Sequence, residues 1–139
     1  MFETNLTVAG KVVTEVTRHT FANGDRKTSF RLMARERRFD RESQDWTDGD
    51  KVFLQVNCWR RLAEGVAVSL VKGDSVVVAG RFYVREYFTD SGEKRIANEL
   101  DARSVGPDLA WCTVSVDRPE HGLVAASTGG PAEEVVAAA

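Results

Sequence analysis

The sequence is poor in the residues on which most metal sites, disulfide frameworks and active sites depend. Its 139 residues include two cysteines and two histidines. Cys58 and Cys112 form no Cys-x-x-Cys pair and no zinc spacing, and His19 and His121 stand far apart, so no metal is expected. The opening Met1-Phe2-Glu3-Thr4-Asn5 has neither a basic flank nor an apolar stretch, so no secretion signal is expected. Both thiols are then expected to be reduced and buried in a cytoplasmic, nucleoid-associated protein. No apolar run approaches the ~20 residues of a membrane span. Gly-x-Gly-x-x-Gly, P-loop and Gly-x-Ser-x-Gly motifs are missing too, which argues against a cofactor and against catalysis. Asp48 and Asp50 come nearest to a carboxylate pair for a nuclease. No histidine or third acid completes them, and such pairs in hairpin loops are usually turn chemistry.

Lysine is scarce as well. Of 19 basic residues 14 are Arg and 5 are Lys. Arginine brings a planar fork for phosphate and a flat face for stacking, where lysine brings a point charge. The formal net charge of -2 argues at first against a nucleic-acid binder. It is unevenly spread: through Ser104 the chain is net +2, and from Val105 onward net -4.

What remains is 42% hydrophobic, an ordinary globular value. Its pattern reads as strands with one helix. Asn5 to Val16 is rich in Val and Thr, with Gly10 marking a bend or bulge. Asn23-Gly24-Asp25 signals a tight turn. Thr28 to Arg37 alternates, Phe30, Leu32 and Ala34 against Arg31, Met33, Arg35 and Arg37. A long charged loop is expected over Arg38 to Asp50. Lys51 to Trp59 alternates again, with Phe53, Gln55, Asn57 and Trp59 on one face. Leu62, Val66 and Leu70 give helical spacing over Arg61 to Leu70, closed by Lys72-Gly73-Asp74. A strand from Ser75 to about Tyr87, bent at Gly80, turns at Thr89–Glu93 into another from Arg95 to Val105. Three strands, a helix and two strands is the order of an OB-fold, an all-β five-stranded Greek-key barrel with its helix between the third and fourth strands. Residues 1–107 make that domain. Residues 108–118, with Leu109 to Val116 strand-like, are expected to add a strand at a subunit interface, and 119–139 form a flexible tail.

The wet faces carry the chemistry. Phe53 and Trp59 flank Gln55 and Asn57. Tyr83, Arg85 and Tyr87 share one face of the long strand if no bulge intervenes. Arg31, Arg35 and Arg37 line the second strand, and Phe39 stands in the charged loop. Aromatics interleaved with arginines suit single-stranded nucleic acid, because bases stack on flat rings for ~1–3 kcal/mol each while cations track phosphates. Trp59, at a strand end beside the helix, fits stacking or burial equally well. Trp46 and Phe82 read as packing residues.

Asn5…Val8-x-Gly10-x-Val12, Asn23-Gly24, the Phe30-to-Ala34 alternation, Trp59-x-x-Leu62-Ala63-Glu64 and Leu70-x-Lys72-Gly73-Asp74-x-Val76-x-Val78-x-Gly80 together resemble the bacterial single-stranded DNA-binding proteins. The resemblance covers roughly Asn5 to Val105. It implies an OB-fold that assembles as a homotetramer and wraps single-stranded DNA without strong sequence preference, in replication, recombination or repair. Position by position, the family's stacking aromatics fall on Phe39, Phe53, Trp59 and Tyr87, with Arg31, Arg35, Arg37 and Arg85 as the accompanying cations. The sequence ends Pro131-Ala132-Glu133-Glu134-Val135-Val136-Ala137-Ala138-Ala139, with none of the family's acidic tip closing in Pro-Phe. Recruitment of repair enzymes through such a tail is therefore not expected, and the chain is similar to the family's short, tail-less paralogues. The alternative reading is a primosome-type accessory subunit whose sheet face meets a partner protein.

Overall fold

The computed structural model describes residues 3–119, apart from the side chains at 36–39, 47 and 48. In chain order the elements are β1 (Thr4–Val12), β2 (Thr17–Thr20), β3 (Arg26–Asp40), β4 (Asp45–Trp59), α1 (Arg60–Ser69), β5 (Ser75–Phe88) and β6 (Lys94–Pro107). The sheet runs β1-β5-β6-β4-β3-β2, and β1 also pairs with β3, which closes a ring. β4 and β6 pair in parallel and the other ladders are antiparallel. β1 and β2 are two parts of one bent strand. Its ladder to β3 begins at Lys11↔Met33 and Val12↔Leu32, breaks, and resumes from Thr17↔Ser29 to Thr20↔Arg26. Counted that way, the chain is the five-stranded OB-fold expected from the order of its segments.

Alternation explains the core. Phe30 and Leu32 of β3, Leu54, Val56 and Cys58 of β4, Val76 and Val78 of β5 and Leu100 of β6 all point inward and are buried. Helix α1 adds Ala63 and Val66, and Leu70, just beyond it, completes the plug at one end of the barrel. The buried Thr28 hydroxyl donates to the Ala63 carbonyl at 2.8 Å and ties the helix to β3. Burial pushes the Cys58 thiol up to about 12, so it stays a protonated apolar side chain.

Two glycines permit closure. At Gly10 a side chain would lie 2.5 Å from the Met33 carbonyl oxygen, where β1 crosses β3. At Gly80 it would collide with the Asp101 backbone, where the β5–β6 register shifts. That shift precedes Tyr83, so Tyr83, Arg85 and Tyr87 do share a face.

Several expectations are corrected. The region from Arg38 to Asp50 is a hairpin rather than a loop: β3 and β4 stay paired out to Asp40↔Asp45, leaving a short turn over residues 41–44. Charged side chains alternate there as readily as on any wet strand face, which conceals the ladder. Leu109 to Val116, by contrast, fits the strand expected at a subunit interface, since it pairs with no strand of this chain among the described residues. A turn closes at Trp111 N–H to the Asp108 carbonyl, and the residues beyond form no ladder among the described residues. Cys112 is exposed, not buried, and Trp46 is 56% exposed.

Candidate nucleic-acid interface

The outer faces of β3, β4, β5 and β6 meet in a groove of about 820 Å³. β4 supplies Phe53, Gln55, Asn57 and Trp59, β3 supplies Lys27 and Arg31, and β5 supplies Tyr83, Arg85 and Tyr87. Strand geometry aligns them: residues two apart on a strand share a face, and the register sets Arg31 opposite Gln55 and Lys27 opposite Trp59. From Phe53 to Trp59 the row spans ~20 Å.

Each of four rings has a cation beside it. Arg31 lies 5.0 Å from the Phe53 centroid, Lys27 5.5 Å from Trp59, Arg85 5.1 Å from Tyr87 and Arg81 4.4 Å from Tyr83. Phe53 and Tyr87 are 39% and 40% exposed, so their rings remain accessible.

Beneath the rings runs a polar floor. Asn57 and Glu99 are buried, and the Asn57 amide N–H donates to Glu99 Oε1 at 2.7 Å. Glu99 also accepts from Arg85 at 3.2 Å. Asp101 accepts from the Tyr83 hydroxyl and the Arg81 guanidinium, each at 3.3 Å. Burial raises the Tyr83 hydroxyl above its ordinary value of 10.0, and the Asp101 and Glu99 carboxylates push it the same way. Tyr83 therefore stays a neutral donor. The two acids are placed to aim Arg85 and Arg81 across the floor. Among the described residues no group of three His, Cys, Asp or Glu is arranged to hold a metal ion.

The groove brings together five of the residues singled out from sequence: Phe53, Trp59, Tyr87, Arg31 and Arg85. Arg35 is elsewhere. It borders a smaller depression with Lys11, Met33 and Trp111, near the point where β1 joins the edge of β3 at Lys11↔Met33. The Phe39 and Arg37 side chains lie outside the described residues. Sequence reading missed Lys27, Lys51 and the Asn57–Glu99 floor. Lys27 could have been found by continuing the β3 alternation back past Thr28; the Asn57–Glu99 bond joins residues 42 positions apart, and no local pattern signals it.

A Greek-key barrel with aromatic rings and cations along one open groove defines the class of OB-fold oligomer-binding proteins. Comparison narrows the class. Residues 4–108 match the model of the single-strand binding protein family, and the chain belongs to that family. The single-stranded DNA-binding protein of Corynebacterium glutamicum is 41% identical over 120 residues, 86% of this chain and 53% of that protein. The chain thus spans about half the length of that relative. The Paenarthrobacter aurescens protein of the same name is 38% identical over 119 residues, covering 86% of this chain and 70% of that one. Among solved structures, the small single-stranded DNA-binding protein from Streptomyces coelicolor superposes with a TM-score of 0.72 at 39% identity, over 79% of this chain and 98% of that one. The second single-stranded DNA-binding protein (SSBb) of Mycobacterium smegmatis gives a TM-score of 0.64 at 35% identity, over 84% and 100%. The family consists of DNA-binding proteins that are not enzymes.

Proposed function

We propose that this chain binds and wraps single-stranded DNA without strong sequence preference, protecting it during replication, recombination or repair, and that it does so as a homotetramer. One observation carries the reading: Phe53, Trp59 and Tyr87 line a single groove, each with a cation at its ring. An exposed cation–ring contact is worth ~0.5–1 kcal/mol and base stacking ~1–3 kcal/mol. An arriving base therefore takes the ring face, and the displaced cation meets the adjacent phosphate. Rings and phosphates are common to all sequences, so selectivity among bases is weak. The single strand is preferred because a duplex keeps its bases stacked on one another.

Assembly is proposed from the family resemblance together with the exposed apolar side chains Leu109, Trp111 and Val116. These residues suit a segment that pairs with a neighbouring subunit. The protein would act in the cytoplasm, wherever single-stranded DNA is exposed on the nucleoid.

Oligo-dT titration followed by tryptophan fluorescence tests the reading. Quenching and tight binding at low salt are expected, and Phe53→Ala should lose ~1–3 kcal/mol of affinity. A partner protein co-purifying in fixed proportion, without any DNA affinity, would establish the primosome-type reading in its place.

A further inference from the structure

The groove does not end at Trp59. The turn after β2 places Phe21 against that ring, centroids 5.7 Å apart and planes inclined by only 23°, and His19 meets Phe21 edge-on at 4.4 Å. The turn is held by the Phe21 N–H donating to the Asp25 carbonyl at 2.8 Å and the Gly24 N–H donating to the Phe21 carbonyl at 2.9 Å. Gly24 there has φ +92, a left-handed conformation that favours glycine. Phe21 is 38% exposed. Phe21 opens the turn, packed between His19 and Trp59 yet partly open to solvent, beside the line of rings.

A second basic surface begins at the same place. Lys27 borders both the groove and a cleft of about 410 Å³ between β2 and α1. Arg18, Arg26 and Lys27 line that cleft, with Glu64 as its acid. Arg26 pairs with Glu64 at 2.7 Å, which leaves the cleft net positive. β2 is the edge of the sheet and, among the described residues, pairs with β3 alone, so no other described strand separates groove from cleft. The register pairs His19 with Lys27 and Arg18 with Thr28, and all four line the cleft.

We propose that single-stranded DNA leaving the groove at Trp59 stacks a base on Phe21 and runs around the β2 edge into this cleft, where Arg18 and Lys27 take its phosphates. The proposal rests on the groove itself binding single strands. It adds a stacking position and a direction of exit, which the known-aromatic pattern does not contain. The competing account gives Phe21 a purely structural role as a buttress for Trp59.

Photo-crosslinking separates these accounts. A dT oligonucleotide carrying 5-iodouracil at each position in turn is irradiated with the intact protein, and linked peptides are identified by mass spectrometry. Links to Phe21 or His19, in addition to groove residues, are expected. Two variants report on affinity for a dT oligomer of ~16 nucleotides, the upper end for one OB-fold. Phe21→Leu, which keeps apolar contact with Trp59 but loses the ring, should bind at least about fivefold more weakly, the low end of one lost stack. Arg18→Ala, which does not touch Trp59, should flatten the plot of log affinity against log salt by ~0.7. Links confined to groove residues, with Phe21→Leu and Arg18→Ala both at wild-type affinity, would overturn the exit path while leaving groove binding intact. A wild-type protein that neither links nor binds would instead refute the groove reading on which the proposal depends.

Discussion

Tyr83 shows how much of the groove is decided by side chains that a linear reading cannot connect. Its hydroxyl donates to Asp101, and its ring carries Arg81. Partial burial and two carboxylates hold its proton beyond the ordinary value of 10.0. The chain has two tyrosines, so Tyr87→Phe leaves Tyr83 as the sole reporter. Tyrosinate absorbance of that folded variant should rise at higher pH than that of the unfolded chain. The linkage has a definite sign. Because the folded value is raised, the contribution of Tyr83 to stability is complete below pH ~10 and is lost as pH climbs through the folded value. Coincident folded and unfolded titration curves would show that the Asp101 contact is not made. Trp59, Phe53 and Tyr87 were legible in the sequence because strand alternation alone puts aromatics on a wet face. Asn57 and Glu99 were not. A buried polar residue on a strand looks like any surface polar residue until its partner, on a strand far along the chain, is known.

At the scale of elements, the order of strands and helix was readable because each has its own period and its own punctuation: Asn23-Gly24 before β3, Lys72-Gly73-Asp74 after α1. What failed was the extent of β3 and β4 and the kink between β1 and β2. Strands that leave the core no longer show an apolar face, so Arg38 to Asp50 read as a loop although its backbone keeps pairing to Asp40↔Asp45. Arg35 lies along the same strand as Arg31 but borders a different depression, since alternation gives a face but not how far along it a groove extends. The bends, by contrast, were marked by glycine. Gly80 has no space for a side chain, because the Asp101 backbone occupies the position. Gly80→Ala must push β6 away from β5 at the register shift, and overpacking of that kind costs ~1–3 kcal/mol. The melting temperature should fall by roughly 5–20 °C, at ~4–8 °C per kcal/mol for a domain near 100 residues. Gly65, where an added side chain meets nothing within 4 Å, is the control on the helix: Gly65→Ala should hold or raise the melting temperature by ~1 kcal/mol equivalent, through helix propensity. Equal melting of the two variants would remove the steric account of the barrel's closure.

For the whole molecule, net charge and local charge make opposite forecasts. A chain of net -2 treated as a uniform sphere repels DNA, and added salt would then strengthen binding or leave it unchanged. The groove says otherwise. Lys27, Arg31 and Lys51 line it and make no ion pair among the described residues, while Arg85 is held by Glu99 at 3.2 Å. Three cations available to phosphate, at ~0.7 released counterion each for single strands, give a slope of log affinity against log salt of about -2 per occupied groove. With a screening length of ~10 Å at 0.1 M salt, the cations lining the groove, and not the net charge of the whole chain, set the potential a phosphate meets there. Glu99→Gln sharpens the test, because the amide can still accept from Asn57 but no longer holds the Arg85 charge. Arg85 then becomes a fourth phosphate contact, and the slope should steepen by ~0.7, to about -3. Titrations of oligo-dT across a series of salt concentrations measure both slopes directly. A flat dependence in the wild-type protein would mean that net charge, and not the placement of four side chains on one face of the barrel, governs its encounter with DNA.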